Sequence, residues 1–423
     1  MNKPKIAIIG SGISGLACAY FLSEKYSVKI FEKNDYLGGH SNTATIDYDG
    51  KKIPVDTGFI VFNHATYPNL KSFFKLLDVA YEKSNMSFAV KIDNGSLEYA
   101  GTNLASVFAQ IKNAFNPQFL IMLRDILRFN KKAIDILSKP FDANYTLQNL
   151  LDDLNVKKYF REFYLLPMSG AIWSCPLETM LAYPAQSFVA FFKNHGLLTV
   201  ADQPQWYTVT GGSKEYVKKI ADKIGENSIS LNDEVSSVER LFDKVLVKSK
   251  KGEELFDFVF FASHGNQVLP LLKNASVAEK EVFSAFKYQP NLAVLHRDLS
   301  VMPKAKKAWA SWVYSNNSKN ENQQIAVSYW MNNLQNIDAK YPLFVTLNPA
   351  QKIAEEKIFA QFNYEHPIFD SNAVAAQGRI DELQGVDKIY FCGAYQKNGF
   401  HEDGISSALL AINKLKIFAP WQS

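Results

Sequence analysis

The chain has 423 residues, 47% hydrophobic and 21% charged, which describes a folded protein large enough for two domains and excludes a disordered one. A formal charge of +4 is too small an excess for a nucleic-acid binder, and no basic-aromatic module is present, so no nucleic-acid partner is expected. Three cysteines far apart in the chain (Cys18, Cys175, Cys392) exclude a disulfide framework and offer no metal-ligand spacing, so no metal site is expected.

The chain opens on an apolar run, Lys5–Ile9, that reads as a buried strand, and no signal peptide is expected ahead of it. Gly10, Gly12 and Gly15 follow, and Ile13–Lys25 reads as a helix. In this order the first glycine allows a tight turn, the second lets a pyrophosphate approach the backbone, and the third lets the helix pack on the strand. The phosphates then meet unpaired N–H groups at a helix N-terminus. A second strand, Val28–Phe31, ends at Glu32, where an acid for the ribose belongs. These residues predict an adenine dinucleotide site and leave it open between NAD and FAD.

Two hairpins follow, turning at Asp49-Gly50 and Asn94-Gly95, with a helical pattern over Pro68–Val79 between them. From Thr102 to about His195 the pattern is mostly helical. Within it, Leu120, Leu123, Leu127, Ile134 and Leu137 recur at helical spacing among Arg124, Arg128, Lys131 and Lys132. Two readings stay open for this stretch: a core-facing amphipathic helix, or a basic face resting on an anionic membrane surface. Gly211-Gly212 precede another helix, and residues 228–263 read as four short strands around a solvated turn at Lys248, Lys250 and Lys251. The segment from Asn266 to Leu383 is rich in Trp, Tyr and Phe, and "KIYFCGAYQKNGFHEDGISSALLAINKL" closes the chain as strand, loop and helix. No apolar run reaches the roughly 18–20 residues of a membrane span, so a cytoplasmic protein is expected, with at most a peripheral contact at the inner membrane surface.

Beyond Glu32 come Gly38-Gly39 and Asp56-Thr57-Gly58, which a plain NAD domain does not need. The whole arrangement resembles the flavin-containing amine oxidase superfamily, with its phytoene-desaturase-like and protoporphyrinogen-oxidase-like members. "DTGFIVFN", "IWSCP", "NHGLL", "TVTGGSKEYV", "VLHRD", "YWMNNLQ" and "GFHEDG" are similar to one bacterial branch whose members accompany cyclopropane-fatty-acid-synthase-like methyltransferases. The resemblance implies an α/β fold: a glutathione-reductase-like, Rossmann-type FAD domain from 1–80, 205–265 and 385–423, interleaved with an α+β substrate domain from 81–204 and 266–384. It implies non-covalent FAD held by Gly10, Gly12, Ser14, Gly15, Glu32, Lys33, Gly38, Gly39, His40, Val235, Gly393, Asp403, Gly404 and Ile405. In that family the helix opening at "HEDGISSA" points its N-terminus at the isoalloxazine, where reduced flavin carries negative charge.

The sequence also departs from the family. The lysine that amine oxidases keep near the flavin is missing from the matching strand, "QPNLAVLHRD", which offers Asn291 and His296 instead. Cys392 does not match a flavin-linking position. His401 falls where amine oxidases carry an aromatic cage residue. Candidates for proton handling are His401, His64 and His195, because histidine titrates near neutrality; orienting or structural roles stand beside each. Trp173, Tyr329, Trp330 and Phe400 suggest an apolar substrate pocket. The expected reaction is hydride removal from an apolar substrate, most simply desaturation of a lipid acyl chain, with a methyltransferase-like partner implied by the resemblance. Amine oxidation, double-bond isomerisation and a silent lipid-binding flavoprotein are the alternatives.

Overall fold

The computed structural model describes residues 3–173, 177–199, 203–316 and 326–422; Cys175 and part of the "IWSCP" motif lie outside them. A five-stranded parallel sheet forms the nucleotide-binding half, in the order Ile229–Ser230, Ser27–Phe31, Lys5–Ile9, Phe258–Phe261, Ile389–Phe391. Its strands come from three separate stretches of chain, so the two halves are interleaved. Helices Ile13–Leu22, Lys214–Ile224 and His401–Asn413 pack with Pro68–Leu76 around one face. A three-stranded antiparallel meander, Val235–Arg240, Val245–Ser249 and Gly252–Phe256, leans on the other. Residues 228–263 thus give five strands rather than four, the extra one being the two-residue Ile229–Ser230 that completes the sheet edge.

The second half is built on a seven-stranded mixed sheet, in the order Ile358–Ile368, Lys287–His296, Phe344–Leu347, Ala326–Trp330, Trp312–Asn316, Phe88–Ile92, Leu97–Ala100. Helices Pro117–Lys132, Leu147–Asp153, Leu166–Trp173 and Ala185–Asn194 join its core. The turn at Asp49-Gly50 has both residues at positive φ (51° and 87°), the left-handed pair that a two-residue hairpin demands. Strand Tyr81–Ser84, just past position 80, pairs with Trp206–Val209 and ties the halves together.

Two expectations are corrected here. Leu120 and Leu127 do not face the core: they are 44% and 59% exposed, while Phe119, Met122 and Phe129 fill the inside of helix Pro117–Lys132. The buried face also carries Asp125, which accepts from the Lys157 N–H at 3.0 Å. Tyr329 and Trp330 do not share one pocket either. Successive strand residues point to opposite faces, so Tyr329 joins the large core while Trp330 sits edge-on to Trp309 in a separate small cluster.

Cys18 and Cys392, distant in sequence, meet in the nucleotide-binding core with sulfurs 3.7 Å apart. Burial pushes the Cys18 thiol well above its usual pKa, so it stays protonated.

Candidate flavin site

Three glycines after the first strand do three different jobs. Gly10 takes φ +101°, and a Cβ there would lie 2.8 Å from the Ala262 carbonyl oxygen. At Gly15 a Cβ would meet the Gly10 carbonyl oxygen at 2.0 Å, so only glycine lets the helix approach the strand. At Gly12 it would meet nothing within 4 Å. Gly12 is also the N-cap of helix Ile13–Leu22 and offers no side chain to its first turn. First-turn N–H groups have no partner inside a helix, so an open cradle of donors faces this space. Ser14, the second residue of the helix, is already committed: its hydroxyl donates to the Gly404 carbonyl at 2.9 Å.

Glu32 directly follows the next strand, buried, accepting from the Ser11 N–H at 3.1 Å and hydroxyl at 2.6 Å. Lys33 beside it is exposed, and Val235 is buried at the start of the meander. Gly38 donates its N–H to the Ser11 carbonyl at 3.1 Å, which lays the Gly38-Gly39 backbone against Gly12.

Asp56-Thr57-Gly58 clamps the loop that follows. A Cβ on Gly58 would stand 2.3 Å from the His40 carbonyl oxygen, and the Phe59 N–H donates to that oxygen at 2.7 Å. The Thr57 hydroxyl is 2.7 Å from the Tyr364 hydroxyl. Asp56 accepts from the Ser213 N–H at 2.9 Å, and burial raises its pKa to about 6.

The clamp presents His40 to a group of histidines. Its ring stacks on Tyr364 at 4.8 Å and lies 5.3 Å from His366 and 6.3 Å from His264. The Nε2 atom of His40 is buried without a hydrogen-bond partner. Burial first, then the neighbouring His366, His264 and His401, hold His40 well below the usual histidine pKa. His366 accepts from the Asn291 amide at 2.9 Å, and burial lowers its pKa to about 4. His264 stacks on Tyr288 and lies 3.3 Å from the Glu365 carboxylate. His264 and His366 are missing from the sequence reading. His264 had a signal, since it follows a parallel strand at its carboxyl end, where ligand crevices form. His366 had none, because only strand register brings it beside Asn291.

Helix His401–Asn413 starts against this group. Asp403 accepts from the Phe400 N–H at 3.0 Å and the Asn398 N–H at 3.2 Å, and burial raises its pKa to about 6. Glu402 ties the helix to Pro68–Leu76 by accepting from the Asn69 and Leu70 N–H groups. At Gly404 a Cβ would press on Ile13 at 2.7 Å, so the two helices cross there in near-backbone contact. Ile405 is fully buried behind it, and the Gly393 N–H donates to the Ser407 hydroxyl at 2.8 Å. His401 sits under Phe59 with Nε2 2.9 Å from the Ser41 hydroxyl, and burial takes its pKa to about 3.

Phe400 stacks on Phe191 at 5.1 Å, and Phe191 stacks on His195 at 3.9 Å. His195 Nδ1 is 3.0 Å from the Phe191 carbonyl. A carbonyl only accepts, so Nδ1 carries the hydrogen and the neutral ring keeps its lone pair on Nε2. Trp173 lies deeper, against Phe191 and Tyr183. His64 stands apart, stacked on Tyr207 at 4.2 Å and edge-on to Tyr81, not in open solvent. His296 is a core residue held by Thr346 and the Asp298 N–H. Structure therefore gathers His401, His195 and Phe400 near one helix start, with His40 alongside, and leaves His64, Tyr329 and Trp330 elsewhere.

These residues fit a dinucleotide: the Gly12 cradle has room, the first helix turn is uncapped, and a buried imidazole nitrogen lacks a partner. Residues 8–77 match the NAD(P)-binding Rossmann-like domain family. Carotenoid phi-ring synthase of Streptomyces griseus is 28% identical over 144 residues, 31% of this chain and 26% of the relative. The 1-hydroxycarotenoid 3,4-desaturase of Flavobacterium sp. is 64% identical over 36 residues, 8% of this chain and 7% of the relative. Each match thus spans well under two thirds of the relative's length. Among solved structures, a fatty acid isomerase from P. acnes superposes with TM-score 0.67 at 13% identity, covering 97% of this chain and 98% of that one. Cyclohexylamine oxidase from Brevibacterium oxydans superposes with TM-score 0.68 at 16% identity, covering 98% and 100%. The chain thus shares the fold of these two solved structures over nearly its whole length, with a Rossmann-like dinucleotide-binding segment at residues 8–77. Room at Gly12 and the uncapped first turn of helix Ile13–Leu22 fit the pyrophosphate of an adenine dinucleotide such as FAD.

Proposed function

We propose that the protein is an FAD-dependent oxidoreductase that removes hydride from a lipid acyl chain, introducing a double bond. The stack of Phe400, Phe191 and His195 at the start of helix His401–Asn413 carries the reading. Two aromatic rings there suit an apolar chain and exclude water, and only one imidazole interrupts them. Bound FAD supplies the hydride acceptor. His195 Nε2, its lone pair fixed by the bond from Nδ1 to the Phe191 carbonyl, takes the accompanying proton from the neighbouring carbon. The N-terminal end of helix His401–Asn413 favours negative charge in front of it.

His401 is assigned an orienting role rather than a proton-transfer one. A ring with pKa about 3 is neutral at physiological pH and a weak base, and its Nε2 is engaged with Ser41. A relative named as a desaturase and a structural neighbour named as a fatty acid isomerase support work on unsaturated chains. Amine oxidation is the second reading, favoured by the fold shared with cyclohexylamine oxidase. Asn291 in place of the expected lysine, bonded to His366, speaks against it.

Anaerobic mixing of the yellow holoprotein with an unsaturated or methyl-branched phospholipid should bleach the flavin, and simple amines should not. Product analysis by mass spectrometry should find loss of two hydrogens. Bleaching by amines alone overturns the acyl-chain reading, and a shifted double bond at constant mass indicates isomerisation.

A further inference from the structure

Helix Pro117–Lys132 and the turns on either side of it present an unusual surface. Among the described residues sixteen large hydrophobic side chains are exposed, and seven of them fall between 104 and 141. Leu104, Ile111 and Phe115 are 78%, 78% and 81% exposed, and Phe141 is 60% exposed. On the helix, Leu120, Arg124, Leu127 and Lys131 recur at the i, i+4, i+7, i+11 spacing of a single face. That face points outward, since Phe119, Met122, Asp125 and Phe129 supply the buried one.

Scattered exposed leucines need no explanation, but a cluster of this kind marks an interaction site. Charge identifies the partner. Residues 104–141 hold six basic residues against two acids, which equals the +4 excess of the whole chain. One of those acids, Asp125, is fully buried and lies 3.2 Å from Arg124. Lys131, Lys132 and Lys139 are exposed among the apolar side chains. Protein interfaces exclude lysine from their apolar centres, whereas lysines interleaved with Leu, Ile and Phe suit the headgroup and acyl boundary of an anionic bilayer.

We propose that this surface docks the protein on an anionic phospholipid bilayer, with Phe115, Leu120 and Leu127 entering the acyl boundary and Lys131, Lys132 and Lys139 meeting headgroup phosphates. No helix among the described residues is long and apolar enough to cross a membrane, so the attachment is interfacial. The docking is independent of the chemistry and would hold for any substrate.

The test is flotation of the holoprotein with vesicles of phosphatidylcholine, with and without phosphatidylglycerol, at low and high salt. Binding should favour the anionic vesicles by about tenfold or more and weaken with salt. Lys131→Glu/Lys132→Glu should lose about tenfold in affinity, at roughly a few-fold per lysine near the surface. Leu120→Ser/Leu127→Ser should weaken binding to both vesicle types while leaving flavin content and circular dichroism unchanged. Equal partitioning of the wild type between the two vesicle types, absence of binding, or wild-type affinity in the charge-reversed variant each overturns the proposal. A change of oligomeric state in the serine variant without loss of vesicle binding assigns the patch to self-association and overturns it as well.

Discussion

The rings of Phe59 and His401 lie face to face, with centroids 3.7 Å apart and planes within 17°. One comes from the loop after Asp56-Thr57-Gly58 and the other opens the terminal helix, so the contact fastens the first hundred residues to the last. Because His401 is half-buried, neutral and bonded to Ser41, its removal should be felt as lost structure. His401→Ala should lower stability by about 1–3 kcal/mol and reduce flavin retention, measured by thermal melting and released FAD. His401→Gln, which keeps a partner for Ser41, should recover most of both. A variant with full flavin and normal melting but a large loss of rate would return His401 to the chemistry.

Gly12→Val tests the cradle. A Cβ there has no protein atom within 4 Å, so the variant should fold, shown by unchanged circular dichroism, yet purify colourless because its methyls fill the space of the pyrophosphate. Gly15→Val, only three residues on, should fail to fold, since its Cβ collides with the Gly10 carbonyl. Normal flavin in folded Gly12→Val protein would place the phosphates elsewhere.

His195→Gln should retain FAD and slow substrate-dependent flavin reduction by about 10²–10⁴-fold, the usual contribution of a positioned base. Stopped-flow absorbance under anaerobic conditions reads the rate directly. Phe191→Leu, which leaves the carbonyl in place, should cost less. Equal rates for wild type and His195→Gln would remove this histidine from the mechanism.

Acid should loosen the histidine group. His366 has a folded-state pKa of about 4 against about 6.5 unfolded, so it binds fewer protons when folded. Its stabilising contribution is complete above pH 6.5 and is lost as pH falls toward 4. Asp56 and Asp403, both raised to about 6, act in the opposite sense over much of the same range, so the informative quantity is a difference between proteins. Between pH 7 and pH 5, His366→Asn should lose less stability than wild type by on the order of 1–2 kcal/mol. Parallel melting curves for the two proteins across that range would show that His366 does not titrate as its burial requires.

Much of the nucleotide half was legible because its signals are local. Gly10, Gly12, Gly15 and Glu32 occupy fixed places around one strand–turn–helix–strand unit, and Asp49-Gly50 sets its own turn. The remainder depended on contacts between distant segments. A periodic helix with two apolar edges does not say which edge the rest of the fold will cover, and in Pro117–Lys132 Phe119 and Phe129 took the core that one of the two open readings gave to Leu120 and Leu127. His366 became part of the site only through the pairing of Ile358–Ile368 with Lys287–His296. Tyr329 and Trp330, adjacent in sequence, were separated by the pleat of a strand whose two faces both proved to be buried.

The crossing of Ile13–Leu22 over His401–Asn413 at Gly404 carries a consequence for biosynthesis. The cradle at Gly12 is made long before its floor, helix His401–Asn413, and the neighbouring strand Ile389–Phe391 comes only shortly before that helix. During translation the early strands therefore wait, without the wall that would close around a cofactor, until residue 413 has emerged. This topology predicts that a dinucleotide is held only once helix His401–Asn413 has been made and has packed against Ile13 and Ser14.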